Sequence, residues 1–381
     1  MKRLSVLGST GSIGRGVLRI VEAFPKRFKV VTLAARSNSD LLYKQAIRFR
    51  PRLVCIFDPR KAGDLARKLR PKGIRVVSGE EGLREAATFS AVQMTVFALV
   101  GVKGLQVLLD VIRLGKAVAI ANKESLVMAG GLIRNLAQRH HVKLIPIDSE
   151  HSAMWQCLEG HSIGDVKRLV LTASGGPFCG WSERRLRCVT PRQALRHPRW
   201  RMGKKITVDS ATLMNKGFEV IEACSIFGVG VDRVRVLVHP EAIVHSMVEF
   251  VDGSVLAQLS VTSMDIPIKY ALTYPQRFSG KLPALDLEKV GPLHFNHPRR
   301  GQFPCLELAY EVGRRGGTLP AVLNAADEVL VVFFLSGKID FLQIHALLER
   351  IVTHHRNVKN PNLNDILQAD KWAREEALRL C

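Results

Sequence analysis

Two carboxylates stand two residues apart in Pro146-Ile147-Asp148-Ser149-Glu150-His151-Ser152, just behind a short apolar run. On a strand-to-helix turn such a pair can converge on one hard cation through oxygen ligands. An acidic turn with a helix cap is the competing reading, and a lone D-x-E does not choose between them. Glu219 supplies a candidate third carboxylate in Asp209-Ser-Ala-Thr-Leu-Met-Asn215-Lys216-Gly-Phe-Glu219. Asn215 and Glu219 are four apart, so on a helix they share a face. Ser174, in Thr172-Ala-Ser-Gly-Gly-Pro, joins Ser210, Asn215 and Lys216 as a donor set for a phosphate, although helix capping is equally open to the serines.

A second constellation opens the chain. The apolar run Leu4–Leu7 ends in Gly8-Ser-Thr-Gly11-Ser-Ile-Gly14 and passes into a helical pattern reaching about Phe24. Glycines there permit a tight turn and let a pyrophosphate approach backbone N–H groups at a helix N-terminus. The next strand closes on Ala34-Ala35-Arg36-Ser37-Asn38, with no acid in the place where NAD-binding chains hold the ribose 2′-hydroxyl. A guanidinium at that place suits a 2′-phosphate, so the pattern points to NADP, with the nearby Asp40 keeping NAD as the alternative.

Other chemistries fit less well. Asp148-Ser149-Glu150-His151 is adjacent in sequence, which does not make a hydrolase triad, and Ser174 lacks a G-x-S-x-G elbow. His239 and His245 have the wrong spacing for an H-E-x-x-H zinc site and read as structural, as do the pairs His140-His141 and His354-His355. The seven cysteines are scattered and form no C-x-x-C, which predicts reduced structural thiols.

The elements that must position these residues alternate through the first 146 positions. Leu4–Leu7, Val30–Ala34, Leu53–Phe57, Val92–Ala98, Ala117–Ala121 and Lys143–Ile147 read as strands with helix-length segments between them, the pattern of a parallel sheet covered on both faces. After Asp148 the strand-like runs Val166–Thr172, Val234–His239, Ile243–Phe250 and Ser254–Ser260 mix with glycine-bearing loops, as in a more antiparallel α+β region. Residues 276–303 resemble a surface linker. From Pro304 onward, Pro320–Leu335 and Phe341–His354 carry helical spacing.

The chain of 381 residues carries 56 Lys and Arg against 34 Asp and Glu, a formal charge of +22. Residues 44–75 hold 11 basic against 2 acidic groups, and residues 181–205 hold 9 against 1. Such charge suits nucleic acid, an anionic membrane or anionic small molecules. The basic stretch 44–75 has no regular aromatic interleaving, with Phe49 and Phe57 its only aromatics, and aromatic content is 6%, which argues against nucleic acid. Gln93, Lys103 and Arg113 break the most apolar region, so no transmembrane run is expected. The N-terminal apolar stretch is too short for a signal peptide, which predicts a cytoplasmic protein.

Gly8–Gly14, Ala121-Asn-Lys-Glu-Ser125, Pro146–His151, Leu171-Thr-Ala-Ser-Gly-Gly-Pro-Phe178, His197-Pro-Arg-Trp200-Arg-Met-Gly203 and Val208–Glu219 together resemble the 1-deoxy-D-xylulose 5-phosphate reductoisomerase family. The motifs stand in family order and the likeness runs nearly end to end. The resemblance implies an α/β chain with an N-terminal Rossmann-like doubly wound parallel sheet (1–147) that binds NADPH. A central α+β catalytic and dimerisation domain (148–275) with a mobile flap at about 180–205, the linker, and a small C-terminal helical domain (304–381) would follow. It implies an NADP-dependent oxidoreductase that rearranges and reduces 1-deoxy-D-xylulose 5-phosphate to 2-C-methyl-D-erythritol 4-phosphate, in the non-mevalonate route to isoprenoid precursors. The partner would be a second copy of the chain, without nucleic acid or membrane.

Residue by residue, the resemblance assigns Asp148, Glu150 and Glu219 to Mg²⁺ or Mn²⁺, with Co²⁺ as a further candidate. Lys123, Ser149, Glu150, Ser174, His197, Ser210, Asn215, Lys216 and Glu219 would meet the substrate. Thr10, Gly11, Ser12, Ile13, Arg36, Ser37, Asn38, Asn122, Glu124 and Gly203 would meet NADPH. Lys123, Glu150, His197 and the flap residue Trp200 carry the catalytic roles. Three positions depart from the family pattern: Arg36 where glycine is common, Asp265 in Met264-Asp-Ile-Pro-Ile where arginine is common, and Lys103 in the turn Gly101–Gly104.

Overall fold

Short apolar runs without polar alternation can be strands only where both faces are covered. The N-terminal runs meet that condition in the computed structural model, which describes the chain except Arg201, Lys281, Arg299, Arg300 and Gln302 and the side chains of Lys103 and Glu183. In chain order they form β1 (Lys2–Leu7), α1 (Ser12–Ala23), β2 (Phe28–Ala35), α2 (Ser39–Phe49), β3 (Leu53–Ile56), α3 (Ala62–Leu69), β4 (Arg75–Ser78), α4 (Gly79–Thr88) and β5 (Met94–Phe97). Then come α5 (Leu105–Arg113), β6 (Ala117–Ile120), α6 (Lys123–Arg139), β7 (Leu144–Pro146) and α7 (Ser149–Cys157). The later elements are β8 (Val166–Ala173), α8 (Glu183–Leu186), α9 (Pro191–Ala194), α10 (Lys204–Thr212), α11 (Met214–Phe227), β9 (Val234–Val238), β10 (Val244–Phe250) and β11 (Val255–Leu259). Helices α12 (Asp265–Thr273), α13 (Leu287–Val290), α14 (Pro304–Arg315), α15 (Leu319–Leu335), α16 (Phe341–His354) and α17 (Leu363–Leu380) complete the chain.

The first of two compact units comprises Met1–Ser125, Ile133–Ser152 and Ser263–Pro283. Its described strands form one parallel sheet in the order β4-β3-β2-β1-β5-β6-β7. Every residue of β3 and β5 is buried. Strand order reverses at the β1/β5 boundary, and ligands of doubly wound sheets sit outside the carboxyl ends at such a switch. The expected strands are present with ends shifted by up to two residues. β4 was not anticipated: it is a partly exposed edge strand with only two apolar residues. Helix α12 packs on α1 where Gly16 leaves room, since a Cβ there would lie 2.7 Å from Ile268 Cδ1. Asp265, one of the departures noted above, accepts from Arg19 at 2.7 Å in that contact.

The second unit comprises Leu126–Leu132, Ala153–Thr262 and Ala284–Cys381. Its described strands run β11-β10-β8-β9, with β10 antiparallel to β8 and β11, and β8 parallel to β9. Helix α15 is apolar almost all round, as a central helix must be, and lies in a core that includes Phe178, Phe218, Phe334 and Phe341. Helix α16 spans the residues expected, entered through a capping box between Asp340 and Gln343.

Candidate active site

The glycine turn after β1 is built by close approach. Gly8 has φ +82°, and a Cβ on it would lie 2.2 Å from the carbonyl oxygen of Ala98. A Cβ on Gly14 would lie 2.2 Å from Gly8 O, so only glycine lets the turn fold under α1. Ser9 locks it from behind, donating to Gln45 Oε1 at 2.8 Å while Gln45 Nε2 donates to Ser9 O at 2.8 Å. No side chain caps α1, and Gly11 and Ser12 at its N-terminus are exposed, which leaves N–H donors of the first turn open to a pyrophosphate. Arg36, Ser37 and Asn38 follow β2 at the same sheet edge and are exposed; Asn38 also caps α2 through Leu41 N–H. A dinucleotide carrying a 2′-phosphate fits these residues.

Asn122 and Lys123 leave β6 at this edge as well. Asn122 is buried; its Oδ1 accepts from Ser125 N–H, capping α6, and its Nδ2 donates to Leu99 O and to Glu124 Oε2. Lys123 Nζ lies 3.0 Å from Asp148 Oδ2. Asp148 stands beyond β7 as the cap of α7, with Oδ1 accepting from Glu150 N–H at 3.3 Å and lying 3.5 Å from His151 Nδ1. Burial alone would raise its pKa, but the Lys123 charge and the His151 contact outweigh burial and hold the carboxyl well below the usual range. Ser149 donates to Glu150 Oε2 at 2.5 Å. The turn is therefore both a cap and an ionised carboxylate site, and its oxygen donors suit a hard divalent cation.

In the second unit, Ser174 Oγ lies 3.1 Å from His197 Nε2. His197 Nδ1 accepts from the backbone N–H groups of Arg199 and Trp200, at 3.2 and 2.8 Å. That assigns the ring proton to Nε2, which donates to Ser174. Burial lowers the pKa of His197 to about 4, so the ring is neutral at physiological pH. Gly176, at φ +66°, brings the serine loop onto α10: a Cβ there would lie 2.5 Å from Ser210 O. Gly203 is the N-cap of α10. The motif residue Arg201 lies outside the described residues.

Helices α10 and α11 meet at Leu213, which has φ +58° although it is neither glycine nor asparagine. Left-handed leucine is a strained choice, and strain of this kind gathers at functional sites. Beyond the bend, Asn215 Nδ2 donates to Glu219 Oε1 at 2.6 Å, and the Lys216 ammonium pairs with Glu219 Oε2. Lys216 and Glu219 are both buried. Three residues that the sequence divides between phosphate and metal are thus one hydrogen-bonded set.

Sequence reasoning missed a cluster at the foot of this segment. Lys205 Nζ lies 2.7 Å from Asp209 Oδ2 and 2.6 Å from Asp327 Oδ2, with Asp327 contributed by α15. No local spacing links Lys205 to Asp327, so only the fold reveals the pair.

Family models match the chain over residues 4–130 (1-deoxy-D-xylulose 5-phosphate reductoisomerase), 144–227 (its C-terminal domain) and 259–376 (DXP reductoisomerase C-terminal domain). A 1-deoxy-D-xylulose 5-phosphate reductoisomerase of a Synechococcus species is 50% identical over all of this chain and 97% of its own length. That of Caldanaerobacter subterraneus is 48% identical over all of this chain and 99% of its own. The fold is similar to the reductoisomerase of Zymomonas mobilis in complex with NADPH, with TM-score 0.94 and 40% identity over 100% of this chain and 98% of that one. It is also similar to a DOX-P reductoisomerase in complex with NADPH, fosmidomycin and magnesium, with TM-score 0.93, 38% identity and the same coverage.

Proposed function

The chain belongs to the 1-deoxy-D-xylulose 5-phosphate reductoisomerase family, and we propose that it converts 1-deoxy-D-xylulose 5-phosphate to 2-C-methyl-D-erythritol 4-phosphate with NADPH and a divalent metal. The observation that carries this reading is the ionised Asp148 beside Lys123 at the carboxyl edge of the nucleotide-type sheet. A plain NADP dehydrogenase has no need of such a carboxylate.

In this reading Asp148, Glu150 and Glu219 hold Mg²⁺, with Mn²⁺ and Co²⁺ as alternatives to be ranked by add-back. Thr10, Gly11, Ser12, Ile13, Arg36, Ser37, Asn38, Asn122, Glu124 and Gly203 receive NADPH. When bound, the metal polarises the substrate's carbonyl and hydroxyl oxygens, and NADPH supplies the hydride. Lys123 adds fixed positive charge beside Asp148, where oxyanion character develops. Ser149 and Glu150 border the reacting oxygens. His197 turns its Nε2–H from Ser174 to a phosphate oxygen without changing protonation, and Ser174, Ser210, Asn215 and Lys216 complete the phosphate's donors. Trp200, in the segment 180–205, excludes water when that segment closes.

The edge strand β11 supports a homodimer, since Val255 and Leu256 are 52% and 41% exposed beside an edge that pairs only with β10 among the described residues. No described helix is long and apolar enough to cross a membrane, and a cytoplasmic location is consistent with that. The division into nucleotide-binding (1–147), catalytic (148–275), linker (276–303) and helical (304–381) segments is proposed as a functional one.

The test is NADPH oxidation with 1-deoxy-D-xylulose 5-phosphate, with and without EDTA, and the product identified by mass spectrometry. Metal-restored turnover to the methylerythritol phosphate is expected. No oxidation, or oxidation indifferent to EDTA, overturns the reading.

A further inference from the structure

Lys61 lies in the basic stretch 44–75, to which the proposed reaction gives no role. Strands β2 and β3 are parallel neighbours with Ala35 opposite Ile56, so the loops leaving their carboxyl ends run side by side. Two backbone bonds keep those loops in step: Phe57 N–H donates to Ala35 O at 2.8 Å, and Asp58 N–H to Arg36 O at 2.9 Å. The chain then turns through Pro59–Lys61, where the Asp58 carboxylate accepts from Arg60 N–H and, at 2.9 Å through each oxygen, from its guanidinium. Arg60 is therefore committed to Asp58, as Arg67 and Lys68 are to Asp64. Lys61 goes elsewhere: its ammonium donates to the carbonyl oxygen of Ser37 at 2.6 Å.

We propose that Lys61 is a specificity-determining residue for the cofactor, a second cation that receives the 2′-phosphate of NADPH together with Arg36. The inference rests on the reaction proposed above. A phosphate monoester carries a charge of about −1.5 to −2 near neutral pH, more than one guanidinium balances. An ammonium has three N–H donors, and Ser37 occupies one of those on Lys61. Arg60 neutralises the Asp58 carboxylate of this turn, whose charge would otherwise oppose a phosphate, with paired hydrogen bonds. NADH has no 2′-phosphate and gains nothing from the arrangement, so the contact discriminates rather than merely binds.

The experiment is titration calorimetry of the intact protein with NADPH, with NADH and with adenosine 2′,5′-bisphosphate as the isolated probe. Lys61→Met keeps the aliphatic stem and removes the charge; it is expected to weaken NADPH and the bisphosphate about tenfold, and to leave NADH within about twofold. Lys61→Arg keeps the charge and is expected to restore the preference. Equal weakening of NADPH and NADH, or unchanged NADPH affinity in Lys61→Met, overturns the inference while leaving the reaction untouched. A wild-type protein that binds NADPH no better than NADH overturns the NADP assignment itself, so the two failures are distinguishable.

Discussion

Glu219 shows how much one residue is asked to do. Its two oxygens answer Asn215 and the buried Lys216 ammonium, so removing its charge disturbs more than the proposed metal site. Glu219→Gln is expected to abolish metal-dependent turnover and keep NADPH affinity. It should also cost about 1–3 kcal/mol of stability, because a buried lysine is left with a neutral partner; urea denaturation beside calorimetry checks both parts. Retained turnover removes Glu219 from the metal set. His197 behaves differently, because burial lowers its pKa to about 4 and the folded state favours the neutral ring. A histidine with a depressed pKa adds no charge above pH 6.5. As the pH falls from about 6.5 towards 4 the unfolded chain takes up the proton first, and stability declines. His197→Gln preserves an N–H donor without a titrating ring, so it should raise KM for the sugar phosphate and leave the pH dependence of KM between pH 6 and 8 as in the wild type, as rates across pH will show. A profile that loses an inflection in that window means His197 is charged when it acts.

At the scale of elements, what was legible was local. The glycine turn and the Asp148–Glu150 turn announce themselves because their chemistry lies within a few residues, and α16 shows in its 3.6-residue spacing. The bend between α10 and α11 was illegible, since leucine is a good helix former and nothing beside Leu213 warns of a left-handed residue. Equally hidden was the reason why α10 stays in place. Burial and the neighbouring Asp327 raise the pKa of Asp209 well above the usual carboxylate range, against the opposing pull of Lys205. Burial works against the Lys205 ammonium, but the two carboxylates outweigh it and lift its pKa. Lys205→Met leaves two buried carboxyl groups facing each other and removes the charge that opposes the rise in the Asp209 pKa. A carboxyl raised in the folded state gives stability that is full below about pH 4 and falls as the pH rises, and without Lys205 that fall is steeper than in the wild type. The loss near neutrality is expected at about 2 kcal/mol, below what a fully buried pair costs when broken, because the Lys205 side chain is 33% exposed. Denaturation midpoints at acid and neutral pH, compared between the two proteins, test it; a gap that does not widen with pH would sink the charge argument.

For the whole molecule, the net charge of +22 sets two associations against each other. Many of the basic groups in 44–75 are absorbed by ion pairs, as Arg48 by Glu22, Arg60 by Asp58 and Arg75 by Glu85. The remainder gives the protein a positive field that draws a polyanionic cofactor and sugar phosphate, and added salt weakens that attraction. Two copies of the same chain repel through that field, so self-association must come from apolar contact. Val255 and Leu256 on β11 offer exposed apolar side chains beside a strand edge that pairs only with β10 among the described residues, and we place the contact there. The dimer is therefore expected to tighten as salt rises, while NADPH binding loosens over the same range. Leu256→Glu places a charge on the apolar edge that must be buried against its own symmetry mate, which costs several kcal/mol at a two-fold interface. Light scattering on the eluted protein should show a dimer for the wild type and a monomer for Leu256→Glu, with circular dichroism unchanged. A wild-type monomer at every salt concentration, or a variant that remains dimeric, moves the interface away from β11.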